Sequence, residues 1–204
     1  KDYEEALIWF TKIIDGNNAV SQNAYYHLAE CYLKSDRKQE ALNAFRNAQQ
    51  MDFNAAIKKD AWLNYAKLSY EIGNPYNSVA EVIQEYLRAY PDDMDQSEVK
   101  DYLISAYLMA NDYQGALDYL KNASTDENNT YHKVAFLYGS QLFREQQYTK
   151  AIENFNLSIE NGSNSVYKAR SLFWKSESLY RLKKYEESLT GFQEFLEIPE
   201  AKEA

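Results

Sequence analysis

Small and bulky residues recur along this chain in a fixed order. Six triplets align as Tyr-x-x-small-x-x-x-bulky: Tyr3/Ala6/Phe10, Lys38/Ala41/Phe45, Tyr76/Val79/Ile83, Tyr113/Ala116/Leu120, Tyr148/Ala151/Phe155 and Tyr185/Ser188/Phe192. Lys38 replaces the tyrosine in the second triplet, and Val79 is larger than its counterparts. The small residues follow one another after 35, 38, 37, 35 and 37 positions. Spacings of three and four put each triplet on one helical face. A small side chain lets two helix axes approach closely, and a bulky neighbour fills the space beside the crossing. Each triplet therefore marks the second helix of a hairpin.

A second ladder precedes each triplet from the second onward: Leu28-Ala29-x-x-Tyr32, Tyr65-Ala66, Leu103-Ile104-x-x-Tyr107, Tyr138-Gly139-x-x-Leu142 and Ser176-x-x-Leu179. The interval to the next small residue fits one helix, a short turn and the start of another. Predicted helices are 2–14, 22–35, 37–50, 56–72, 75–90, 96–110, 113–123, 131–146, 148–160, 166–183 and 185–197. Turn chemistry supplies the boundaries. Gly73-Asn74-Pro75 reads as a left-handed stop followed by proline in a first helical turn. Asn111-Asp112 and Ser35-Asp36 read as N-caps. Gly16 and Gly162 follow second helices, and Pro91 and Pro199 close two others.

These residues resemble the tetratricopeptide repeat family, over essentially the whole chain. That pattern is Trp-x-x-Leu-Gly-x-x-Tyr, then Tyr-x-x-Ala-x-x-x-Phe-x-x-Ala, then Pro. Tyr25 and Trp62 sit at the first aromatic position, Ala48 and Ala123 at the late alanine, and Pro91 at the closing proline. Ile104 departs from it, being large where Gly or Ala is usual, and Lys100 and Lys175 fill apolar positions. The resemblance implies an all-α, right-handed superhelical solenoid of about five and a half hairpins and about eleven helices. It predicts one solenoid over 1–204, with a partial repeat at 1–16 and repeats at 22–55, 59–93, 97–130, 132–165 and 169–202. The polar linker Ser124 to Thr130 is the expected hinge. Helix 2–14 begins mid-repeat. Its Leu7, Trp9, Phe10, Ile13 and Ile14 exceed what one neighbour covers, so a preceding helix or a second copy is expected to pair end to end there. The opening Lys1-Asp2-Tyr3 fits a segment cut from a longer protein.

The resemblance also implies a site. First helices line the inner, concave face of such a stack. The residues one turn from the packing positions are Asn23, Tyr26, His27, Glu30, Asp60, Leu63, Asn64, Lys67, Tyr70, Asp101, Tyr102, Ser105 and Leu108. They continue with Lys133, Phe136, Leu137, Ser140, Phe143, Arg170, Phe173, Trp174, Glu177 and Tyr180. The expected partner-binding set is Tyr26, Glu30, Asn64, Lys67, Tyr70, Asp101, Tyr102, Lys133, Phe136, Phe143, Arg170, Phe173 and Tyr180. Rigid aromatics bury area at low entropic cost, which suits a peptide-binding groove. Some family members clamp a C-terminal carboxylate with two lysines, two asparagines and an arginine. Only Asn64 matches in the first three hairpins, where Tyr26, Glu30, Glu98 and Tyr102 take the other places. That ligand class is excluded.

Composition narrows the function further. The 204 residues carry a net charge of −9, with six Gly, three Pro and 19 Tyr. No basic run exceeds Lys183-Lys184, so the cation excess that a nucleic-acid binder needs is absent. No stretch approaches the ~20 apolar residues of a membrane span. There is no phosphate-binding loop and no Gly-x-Ser-x-Gly elbow. His27 and His132 lie far apart, outside metal-ligand spacing. Cys31 lies one turn from His27, but no Asp or Asn orients that pair, and the cysteine reads as a small buried hydrophobe. Asp92-Asp93-x-Asp95-x-x-Glu98 lacks the glycine and distal glutamate of a calcium loop and reads as an acidic helix start. No cofactor, metal or catalytic residue is expected. The expected function is a non-catalytic scaffold holding a peptide or protein partner. The alternatives are a glycan-handling or assembly module of a cell envelope, suggested by the aromatic excess, and the regulatory arm of a larger enzyme. A bacterial periplasm or envelope is favoured over cytoplasm.

Overall fold

In the computed structural model the described residues are 3–92, 96–121, 128–160 and 165–202. Gly162, Ala123, Asp93, Asp95 and the linker residues 124–127 lie outside them. The described residues form eleven α-helices and no strand: α1 (Tyr3–Thr11), α2 (Ala19–Lys34), α3 (Lys38–Gln49), α4 (Ala55–Ile72), α5 (Val79–Ala89), α6 (Gln96–Met109), α7 (Tyr113–Leu120), α8 (Asn128–Arg144), α9 (Tyr148–Glu160), α10 (Ser165–Arg181) and α11 (Tyr185–Glu197). A 3-10 turn follows at Pro199–Lys202. The fold is an all-α run of antiparallel hairpins. It divides into two compact units, Lys1–Ala106 and Tyr107–Ala204.

In the first unit α2 pairs with α3 and α4 with α5, while α1 packs on α2 and α3 on α4. The crossing positions behave as their size requires: Ala29, Ala41 and Ala48 are wholly buried, with Phe45 beside them. Val79 is only half-buried, because it is the first residue of α5 and the burial shifts to Val82, Ile83 and Tyr86. In the second unit α7, α8, α9, α10 and α11 pack in succession, with α8 also touching α10. Ala116, Ala151 and Phe155 are wholly buried there. Gly139 lies so close to Phe155 that a Cβ would come within 2.7 Å of the ring, so this crossing admits no side chain.

Four hairpin turns share one device. Asp36, Asn111, Gln146 and Lys183 all have φ between 56° and 62°. Each stands seven residues after the small position of its first helix, taking Ile104 as that position in the third case. The amide after each donates back into the helix: Arg37 to Tyr32 O at 2.8 Å, Asp112 to Tyr107 O at 2.9 Å, Gln147 to Leu142 O at 2.8 Å and Lys184 to Leu179 O at 3.0 Å. This is the Schellman closure, usually built on glycine. Ser35-Asp36 is therefore not an N-cap: Ser35 is the C-cap of α2, and the N-cap of α3 is Arg37, with no side-chain cap bond. Asp112 is one, accepting from the Gly115 amide at 2.9 Å.

The remaining turn is longer. Gly73, at φ 80°, ends α4, but Pro75 does not start α5. Asn74 holds the loop instead, donating to the Tyr65 hydroxyl and Ser69 Oγ at 2.8 Å and accepting from the Tyr76 amide at 2.9 Å. Ser78 and Glu81 then form a reciprocal capping box, which sets the start of the helix at Val79. Helix α1 is also shorter than expected and ends at Thr11. Its Ile8 and Trp9 are exposed, Leu7 is buried, and Phe10 stacks on His27.

Between α3 and α4 a buried glutamine does the holding. Gln22 of α2 donates to Ala48 O at 3.2 Å and Met51 O at 2.7 Å, and accepts from the Asn54 amide at 2.7 Å. Gln22→Ala should cost about 2 kcal/mol by leaving these buried groups unpaired, read as a lower urea midpoint at unchanged slope. Gln146→Gly and Lys183→Gly should each stabilise by up to about 1 kcal/mol, since glycine relieves the left-handed strain at some cost in chain entropy. A lower melting temperature for both glycine variants would refute that account of the turns.

Candidate partner-binding face

The first-helix face of the first unit is built on α2, α4 and α6. Side chains tie each helix to the next. The Tyr26 hydroxyl of α2 donates to Asp60 Oδ2 of α4 at 2.5 Å, and Asn64 Nδ2 donates to the same oxygen at 3.0 Å. Lys67 of α4 pairs with Glu98 of α6 at 2.7 Å, and the Tyr102 hydroxyl donates to Glu98 at 2.5 Å. The rings of Tyr70 and Tyr102 stack at 4.5 Å with planes 19° apart. Both rings remain half-exposed. Glu30 is exposed and meets only His27 Nδ1, at 2.7 Å, and Asp101 is exposed with no ion pair among the described residues.

The electrostatics follow from these contacts. Burial first, then the bond to Asp60, pushes the Tyr26 hydroxyl well above its ordinary range. The bond to Glu98 is the main cause that pushes Tyr102 up to about 12. Lys67, and after it Tyr102, hold Glu98 below the usual carboxylate range. Burial raises the Cys31 thiol, which leaves it a poor nucleophile.

The first-helix phenylalanines of the second unit have the same intermediate burial as Tyr70 and Tyr102 but meet rings of second helices. Phe136 lies against Phe155 and Tyr167, with centroids at 6.2 and 5.7 Å. Phe143 meets Tyr148 and Trp174 at 5.4 and 4.9 Å. Phe173 is surrounded by Trp174, Phe192 and Phe195. These three rings pack between helices. Tyr180 is 53% exposed and touches Tyr185. Lys133 is exposed and Arg170 half-buried.

Of the expected set, Tyr26 and Asn64 meet at Asp60, while Lys67, Tyr70 and Tyr102 gather in a second group with Glu98; Glu30 and Asp101 are exposed. The partner-binding set left out Asp60, which the wider groove-facing set includes, and Glu98; these are the acceptors at the centre of the two groups. They occupy one repeat position, 38 residues apart, and the same position carries Lys133 and Arg170 further on. Reading that column down the repeats would have found them.

Among the described residues no group of three or more His, Cys, Asp or Glu could hold a metal ion, and no helix is long and apolar enough to cross a membrane. Residues 32–93, from the end of α2 past α5, match the tetratricopeptide repeat family. That match covers less than half of the chain. No curated protein matches it. Among solved structures it is similar to MamA protein, with 20% identity, a TM-score of 0.46, and 89% of this chain and 93% of that one covered. It is also similar to MamA MSR-1, at 19% identity and a TM-score of 0.43 over 90% of this chain and 99% of that one. The apo form of the quorum sensor NprR from B. thuringiensis matches at 13% identity and a TM-score of 0.42, over 97% of this chain and 60% of that one. At such TM-scores these likenesses add nothing to what the hairpins show.

The repeats' own tyrosines give a pH test. A raised Tyr102 value means that the folded chain holds this proton more tightly than the unfolded chain does. The stabilisation is complete below the ordinary tyrosine value of 10 and disappears as pH rises through about 12. Comparing tyrosinate absorbance titrations of wild type and Tyr102→Phe isolates this step, and Glu98→Gln should move it down toward 10. A step that stays put in Glu98→Gln would mean that Glu98 is not the cause.

Proposed function

We propose that this chain is a non-catalytic scaffold that captures a peptide or protein partner on the first-helix face of its first unit. The Tyr70–Tyr102 stack carries the reading. It joins two successive first helices, and half-exposed rings already fixed in place lose little entropy when a partner covers them. In the second unit Phe136, Phe143 and Phe173 each meet a second-helix ring, which makes them weaker candidates for contact, and Tyr180 is exposed.

The test is site-specific photo-crosslinking in source cells. A photoreactive residue at Asp101, on the face, should form a discrete adduct, and one at Glu85 on α5 should not. Tyr70→Ala or Tyr102→Ala should lower the Asp101 adduct about tenfold with the helical circular dichroism unchanged. Equal labelling at Glu85, or labelling at Asp101 indifferent to both tyrosines, would remove the groove reading.

A further inference from the structure

We infer that the occupant of the first-unit face is a basic segment, an extended peptide whose lysine or arginine side chains meet Glu30, Asp60 and Asp101. This rests on the scaffold reading above and adds the chemistry of the partner.

The argument begins with which charges are already used. Lys67 is spent on Glu98, and Lys38 reaches Glu71 at 2.5 Å. Among the described residues Glu30, Asp60 and Asp101 meet no lysine or arginine, and Lys34 stands at the repeat position equivalent to Glu71. Asp60 takes its hydrogen bonds from a phenol and an amide, both neutral, so its charge is solvated by the protein but not cancelled. Glu30 has only an imidazole. A peptide carboxylate or phosphate brought here would meet uncompensated negative charge, whereas an ammonium or guanidinium would cancel it. The Tyr70 and Tyr102 faces suit the same groups, because cations are attracted to aromatic rings.

The acids are not there to make the hairpin. The position that carries Asp60 and Glu98 in the first unit carries Lys133 and Arg170 in the second, on first helices of the same kind. A position whose sign reverses within one chain is not dictated by the hairpin crossing, although Asp60 and Glu98 also hold neighbouring first helices together in the first unit.

Fluorescence anisotropy tests this with a labelled alternating Lys-Ala dodecapeptide and its Glu-Ala counterpart. The Lys-Ala peptide should bind, and the Glu-Ala peptide should not. Glu30→Gln with Asp101→Asn should weaken the Lys-Ala peptide about tenfold. A charge-matched pair on second helices, Glu85→Gln with Glu153→Gln, should change it less than twofold. Equal loss in both pairs would reduce the effect to overall net charge and overturn the inference, as would equal binding of the two peptides. Crosslinking at Asp101 without Lys-Ala binding would leave the scaffold standing and remove the basic partner.

Discussion

Two helices can lie close only where one side chain at their crossing is small, and this chain meets that condition once per hairpin. Ala41, Ala116 and Ala151 are wholly buried, and at Gly139 the facing Phe155 ring occupies the space of a Cβ. Close approach at one point fixes the rest of the helix. Residues three and four positions along must be bulky to close the gap, and those on the opposite side are released to solvent. The first-helix face is what this constraint leaves free.

That is why the hairpins were legible in the sequence while their joints were not. Helix α3 and helix α9 follow from Ala41/Phe45 and Ala151/Phe155 by periodicity alone. The left-handed residues at 36, 111, 146 and 183 carry no common side chain: Asp, Asn, Gln and Lys. Their conformation is imposed by backbone bonds back into the helix, so residue type gives no warning. Gln22 is hidden for another reason. A glutamine inside a helix reads as surface, and only the fold brings the Met51–Asn54 turn over it.

The site was half legible for the same physical reason. Tyr70 and Phe143 hold equivalent places on first helices, past Ala66 and Gly139, and nothing in their own segments separates them. Their fates depend on what the adjoining helices present. Tyr70 meets another first-helix ring, Tyr102, and both are half-exposed. Phe143 instead meets Tyr148 of a second helix and Trp174 of the next first helix. Its polar counterparts were easier to place than to interpret. Lys67 looked like a ligand-binding cation until Glu98 was found 2.7 Å away.

A net charge of −9 argues against phosphate-rich partners for the chain as a whole, but recognition is local. Beyond about a Debye length, salt screens the remainder of the chain, so a bound peptide responds to the side chains beside it. On the first unit those are Glu30, Asp60 and Asp101; on the second they include Lys133 and Arg170. One sign of peptide charge cannot suit both sets. On the proposed reading, the two faces would discriminate through repulsion as well as attraction. The same hairpin, with its crossing residues untouched, can change partner class by exchanging one exposed column of side chains.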